Sequence, residues 1–177
     1  MKAFLLLLIL LPATATGGMQ ISPRIEAPFT AEPQSRSAID SSGNKSSVYM
    51  QMEPMKGGRM IIYIVGETEI LKKNQSWNPL IGWKERVMDG KNSMDTGVSY
   101  GDANIVSSAG STHEIRYLVK ITEAKMKQHF ADGFGFASGR RISDGAFIQI
   151  GVECLGYSEP RCERLYKNFR NSVKVRD

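Results

Sequence analysis

A strict alternation of apolar and polar residues follows the first eighteen positions. In MQISPRIEAPF, residues 19–29, Met19, Ile21, Pro23, Ile25, Ala27 and Phe29 share one side, and Gln20, Ser22, Arg24 and Glu26 the other. A period of two puts successive side chains on opposite faces of an extended backbone, which predicts a strand with one buried face. Pro23 and Pro28 have no amide proton to give a ladder, so this strand is expected at a sheet edge. The period returns in THEIRYLVKITE, where Ile115, Tyr117, Val119 and Ile121 alternate with Glu114, Arg116, Lys120 and Thr122. It returns again in GAFIQIGVEC, which sets Ala146, Ile148, Ile150, Val152 and Cys154 on one inward face. VYMQME, ending at Pro54, and the apolar RMIIYIVGETEILKK (Arg59 to Lys73) read as two more strands, joined by a turn at Lys56-Gly57-Gly58.

Helical spacing is confined to two places. EAKMKQHFADG suggests a short helix stopped by Gly133. After the turn LGYSEP, Cys162, Leu165, Tyr166 and Phe169 recur at the spacing of one helix face, and Arg161, Arg164 and Lys167 point elsewhere. The pattern predicts a mainly β, single β-sandwich-like domain with one or two short helices, one of them C-terminal.

The first residues, MKAFLLLLILLPATATGG, have the form of a secretory signal: Lys2, then a short apolar run from Phe4 to Leu11, then small residues. The apolar run is shorter than the roughly 20 residues a membrane-spanning helix requires. The expected organisation is a signal peptide over 1–17, an N-terminal strand and Ser-rich linker over 18–47, and a β-rich domain over 48–177. The linker reading rests on EPQSRSAIDSSGNKSS, which carries one isolated isoleucine and cannot support a core. An exported chain enters an oxidising compartment, so Cys154 and Cys162 are expected to form a disulfide that staples the C-terminal helix to the last strand. The expected location is periplasmic, cell-surface or secreted.

Charge changes the picture only locally. The chain carries a formal +5, and Arg161, Arg164, Lys167, Arg170, Lys174 and Arg176 crowd its last seventeen positions against Glu163 and Asp177. Outside the cytoplasm a basic face meets anionic glycans, lipid headgroups or acidic proteins rather than nucleic acid.

The candidates for chemistry fall away one by one. GVSYG, from Gly97 to Gly101, matches the G-x-S-x-G elbow of hydrolases. That elbow needs an apolar strand before the serine and a helix after it, whereas DGKNSMDT and DANIVSSAGST flank it here, and it reads as a turn. DGFGFASG carries Gly133, Gly135 and Gly139 like a phosphate loop, but Ser138 stands where the dinucleotide fingerprint needs glycine. It reads as a tight hairpin or exposed loop presenting Phe134 and Phe136. His113-Glu114 begins like a zinc-protease helix, yet Tyr117 occupies the second histidine position. No catalytic residue, cofactor or metal site is expected. Met50, Met52, Met55 and Met60 could make a soft binding surface but are expected in the core. Asn44-Lys45-Ser46 and Asn74-Gln75-Ser76 have the spacing of N-glycosylation sites.

The alternating segment 19–29 followed by a Ser-rich stretch resembles, in layout, the subunits of bacterial chaperone–usher pili (fimbriae). The resemblance covers about a tenth of the chain. It implies a small exported β-sandwich joined to a neighbour by strand exchange, with Met19, Ile21, Ile25 and Phe29 filling the neighbour's groove. The expectation is therefore a non-enzymatic surface or periplasmic structural and adhesion module that self-associates or binds a protein partner. One alternative is a secreted binding protein, of inhibitor or immunity type, using Trp77, Trp83, Phe134 and Phe136 as contacts. A hydrolase assembled from distant residues is the other.

Overall fold

The computed structural model describes residues 18–39, 43–69, 97–109, 112–142 and 145–176. The expected signal peptide over 1–17 lies outside these residues, as do Trp77, Trp83 and the Asn74 sequon.

Seven antiparallel strands form the main sheet: β3 (Gln34–Ile39), β4 (Lys45–Met55), β5 (Arg59–Glu69), β6 (Val98–Ala109), β7 (Thr112–Ile121), β8 (Gly133–Arg141) and β9 (Phe147–Leu155). Their spatial order is β3-β4-β5-β9-β8-β7-β6, so the last strand of the series inserts between two hairpin-linked blocks. A smaller sheet pairs β1 (Met19–Gln20), β2 (Ile25–Ala27) and β10 (Lys174–Val175) in the order β1-β2-β10. Helix α1 (Ala124–Lys127) is a single turn, and α2 (Glu159–Ser172) runs for 14 residues. The mainly β, sandwich-like domain with a C-terminal helix is therefore present.

Strand alternation builds two apolar faces on the main sheet. On one, Ile61, Val65, Phe136, Ile148, Ile150, Val152 and Cys154 meet Cys162, Tyr166 and Phe169 of α2 and Ile25, Ala27 and Phe29 of the N-terminal segment. On the other, Met60, Ile62, Ile64, Ile115, Tyr117, Val119, Ile121, Ala137 and Leu155 pack together. Every residue of β9 is buried, as a central strand covered on both sides requires. Cys154 and Cys162 are bonded, with Cα atoms 5.7 Å apart, tying α2 to β9.

Several expectations need correction. Residues 19–29 do not form one strand. Ile21 and Ile25 close a turn over Ser22-Pro23-Arg24, and β1 folds back on β2 with Met19 opposite Ala27. Proline stops an amide ladder, and here it sits at the reversal. The Ser-rich stretch is not a linker throughout, because Gln34–Ile39 pairs with β4 over six residues. It gains ladder hydrogen bonds without burying side chains, which hydrophobicity alone does not reveal. Pro54 does not end its strand: β4 continues to Met55, and Pro54 pairs with Met60 beyond the end of β3, where no outer strand among the described residues needs its amide. DGFGFASG is not an exposed loop but the bulk of β8. GVSYG is a turn only at Gly97, since Val98 to Gly101 begin the edge strand β6. Met60 is buried and Met50 packs against the core, but Met52 and Met55 are exposed. Asn44 is buried, which makes it a poor glycan acceptor.

Two stability outcomes follow. Ile25→Ala, at a fully buried position, should cost about 2–5 kcal/mol in equilibrium denaturation. Replacing Cys154 and Cys162 together by alanine should cost about 2–3 kcal/mol, the value for a short closed loop.

Candidate functional site

Three places hold the polar chemistry of the described residues: a buried carboxyl, the sheet edges and the basic helix face.

The carboxyl belongs to Glu153 in β9, which is 2% exposed. It lies on the face opposite its neighbour Cys154. Tyr117 of β7 donates its hydroxyl proton to Oε1 at 3.0 Å, and Tyr100 of β6 donates to Oε2 at 3.4 Å. Tyr117 reaches across β8 because Gly135 lies beneath it; a Cβ there would stand 2.1 Å from the ring. The rings of Tyr100 and Tyr117 meet edge-on at 5.7 Å. Tyr100 and Glu153 belong to strands three places apart, about 14 Å on a flat sheet at the usual strand spacing. The long side chains of Tyr100 and Glu153 lean toward each other across β7 and β8 to close that gap. Burial pushes the Glu153 carboxyl up to about 7, opposed by the two tyrosine hydroxyls. Burial, then the Glu153 charge, pushes the Tyr117 phenol well above its ordinary value.

The two sheet edges differ. The β6–β7 register shifts between Gly101 and Asn104 and again between Ile105 and Ser107, and Asp102 adopts φ 48° within the first irregularity. Bulges of this kind twist an edge away from further pairing. β3 has none. Its six residues pair with β4 in unbroken register, all six are exposed, and Arg36 is its only charge.

On α2 most charge is matched locally. Arg116 of β7 grips Glu159 through two bonds at 2.7 and 2.8 Å, Lys167 pairs with Glu163, and Arg170 pairs with Glu114, which also accepts from Tyr166. Lys174 holds Glu26 at 2.7 Å, keeping the Glu26 carboxyl below its ordinary range. The basic tail is thus partly a structural network rather than a uniform positive face.

The residues singled out from sequence do not converge. Ile25 and Phe29 are buried in their own chain, Phe29 against Phe169 at 5.9 Å, and Met19 and Ile21 pack on the same core. Phe136 is 4% exposed and stacks on Tyr166, so it is no surface contact. Phe134 is half-buried beneath the Arg116 guanidinium at 5.2 Å. Ser99 of GVSYG lies exposed on β6 opposite Lys120, without the strand–turn–helix setting of a nucleophile elbow. Among the described residues, no three of His, Cys, Asp and Glu gather as a metal site. Among them, too, no helix is long and apolar enough to cross a membrane. Sequence reasoning missed Glu153 because alternation assigns it to the polar side of a half-exposed strand. Only the second covered face buries it.

Compared with known proteins, the chain matches no protein family, no curated protein and no solved structure.

The Glu153 cluster generates a pH dependence. Its native carboxyl binds a proton more tightly than the ordinary carboxyl of the unfolded chain, near 4.5. Between these values the native state holds the extra proton, so stability is full at the acidic end and falls as pH rises toward about 7. The loss should total about 3 kcal/mol. Urea denaturation at pH 5 and pH 8 should show this fall in the wild type and a flatter dependence in Glu153→Gln. Equal slopes would contradict it.

Proposed function

We propose that the protein is an exported, non-enzymatic structural or adhesion module that self-associates by adding strand to strand at the open edge of its main sheet. The observation that carries this reading is β3: six exposed, regularly paired residues whose outward amide and carbonyl groups meet no further strand among the described residues. Soluble sheets ordinarily blunt such an edge with bulges, lysines or proline, as bulges do at β6. Exposed Ile39, at 68%, adds an apolar anchor to the same strand.

The occupant that fits is a second copy. A two-fold axis normal to the sheet and passing through Ser37 sets Ser37 against its own mate and Arg36 against Ala38. It keeps each face continuous and opposes no like charges. Moving the axis to Arg36 would bring two guanidiniums together. Strand exchange through residues 19–29, as in pilus subunits, would instead require Ile25, Ala27 and Phe29 to leave a core they already fill. Edge pairing needs no such rearrangement. The export part of the reading is supported by the signal-like first residues and by the disulfide.

A dilution series of the mature protein by multi-angle light scattering should show reversible dimers. A six-residue edge buries little area, so association should be weak, in the micromolar range or above. Ser37→Lys sets like charges face to face and should weaken the dimer at least tenfold while leaving the thermal midpoint nearly unchanged. A monomer at all concentrations, or a dimer indifferent to this substitution, would overturn the reading.

A further inference from the structure

We propose that Arg59, Tyr157 and Arg161, with Arg164 one turn along α2, form a binding site for the repeated anionic groups of an acidic polysaccharide. These residues take no part in the β3 edge.

The basic residues of this side of the molecule divide into two sets. Arg116, Lys167, Arg170 and Lys174 each hold a carboxylate. Arg59 and Arg161 hold none among the described residues. Both are exposed, and both place the guanidinium carbon over the Tyr157 ring, at 5.6 and 5.2 Å from its centroid. The ring itself is buried and fixed in the core.

This arrangement orients donors. A guanidinium stacked on an aromatic ring uses its face, while its five N–H groups lie in its plane and stay open to a planar or tetrahedral oxyanion. Two like charges gathered on one ring repel each other, and an anion between or beside them removes that repulsion. The two carboxylates of α2 are engaged elsewhere, Glu159 by Arg116 and Glu163 by Lys167.

The corner is also built by the backbone. Gly156 has φ 71°, and a Cβ there would stand 2.7 Å from the carbonyl oxygen of Gly58 and 3.3 Å from Cγ of Arg59. Its bare backbone lets the Arg59 stem cross between the β4–β5 turn and the start of α2. Arg164, exposed and three residues beyond Arg161, extends the same side of the helix. Exposed guanidiniums set along a surface suit a chain of repeated charges, where several modest contacts combine.

The test uses the full mature chain and a heparin-derived octasaccharide as probe, measured by titration calorimetry at two salt concentrations. The wild type should bind, more weakly at high salt. Arg59→Gln with Arg161→Gln should weaken binding at least tenfold with an unchanged thermal midpoint. Lys167→Gln with Lys174→Gln removes the same net charge from ion-paired ammoniums and should change binding less than twofold. Equal loss in both double variants would reduce the effect to net charge and overturn the site. So would the absence of wild-type binding, or arginine-dependent binding to phosphatidylglycerol vesicles without binding to the octasaccharide.

Discussion

The structure depends on the burial of β9 from both sides. A strand covered on both faces needs two separate layers, and the chain supplies them from distant places. One layer is α2 with the N-terminal hairpin, which together cover Ile148, Ile150, Val152 and Cys154. The other lies on the opposite face, where Tyr100 and Tyr117 close over Glu153. Cys154 and Glu153 are neighbours in sequence yet serve opposite layers, one through a covalent bond and the other through hydrogen bonds. The disulfide limits how far α2 can leave the sheet. Because α2 also carries Phe169 against Phe29 and Tyr63, the same link holds the N-terminal segment in place.

With β9 enclosed, polar groups available for recognition lie at the margins. The main sheet ends in two unlike edges, one bulged and one regular, and it is at the regular one, β3, that we propose association. The helix surface is likewise uneven. Carboxylates of α2, β7 and β2 take up four of its basic neighbours, leaving arginines concentrated at the corner around Tyr157. The two proposed surfaces would use different physics. Backbone amides on an open edge select an extended chain by geometry, whereas guanidiniums select charge and respond to salt.

Much of the fold is legible in the residue pattern, because buried side chains recur at the period of the element that carries them. β7 and α2 each bury one strongly periodic set of side chains, so Ile115, Tyr117, Val119 and Ile121, and likewise Cys162, Leu165, Tyr166 and Phe169, announce their elements, whereas β5 and β9, buried on both faces, are legible through their apolar and β-branched content. β8 was hidden because its small residues, Gly133, Gly135 and Gly139, look like a loop. Gly133 and Gly135 are small to accommodate neighbours, Gly133 against the Cys154 carbonyl and Gly135 beneath the Tyr117 ring. β3 was hidden for the opposite reason, since it buries nothing and is held by backbone pairing alone. The hairpin at Ser22-Pro23-Arg24 was masked by an alternation that continues in register through the turn.

By itself the sequence determined the mainly β class, the C-terminal amphipathic helix and the pairing of Cys154 with Cys162. Each follows from local periodicity or from having only two cysteines to pair. Tertiary structure alone decided that Glu153 is buried, that Phe136 is core rather than contact, that β3 is an open edge, and that two arginines share one tyrosine ring. These are properties of what lies across from a residue, set by which strands become neighbours, and no local pattern carries that information.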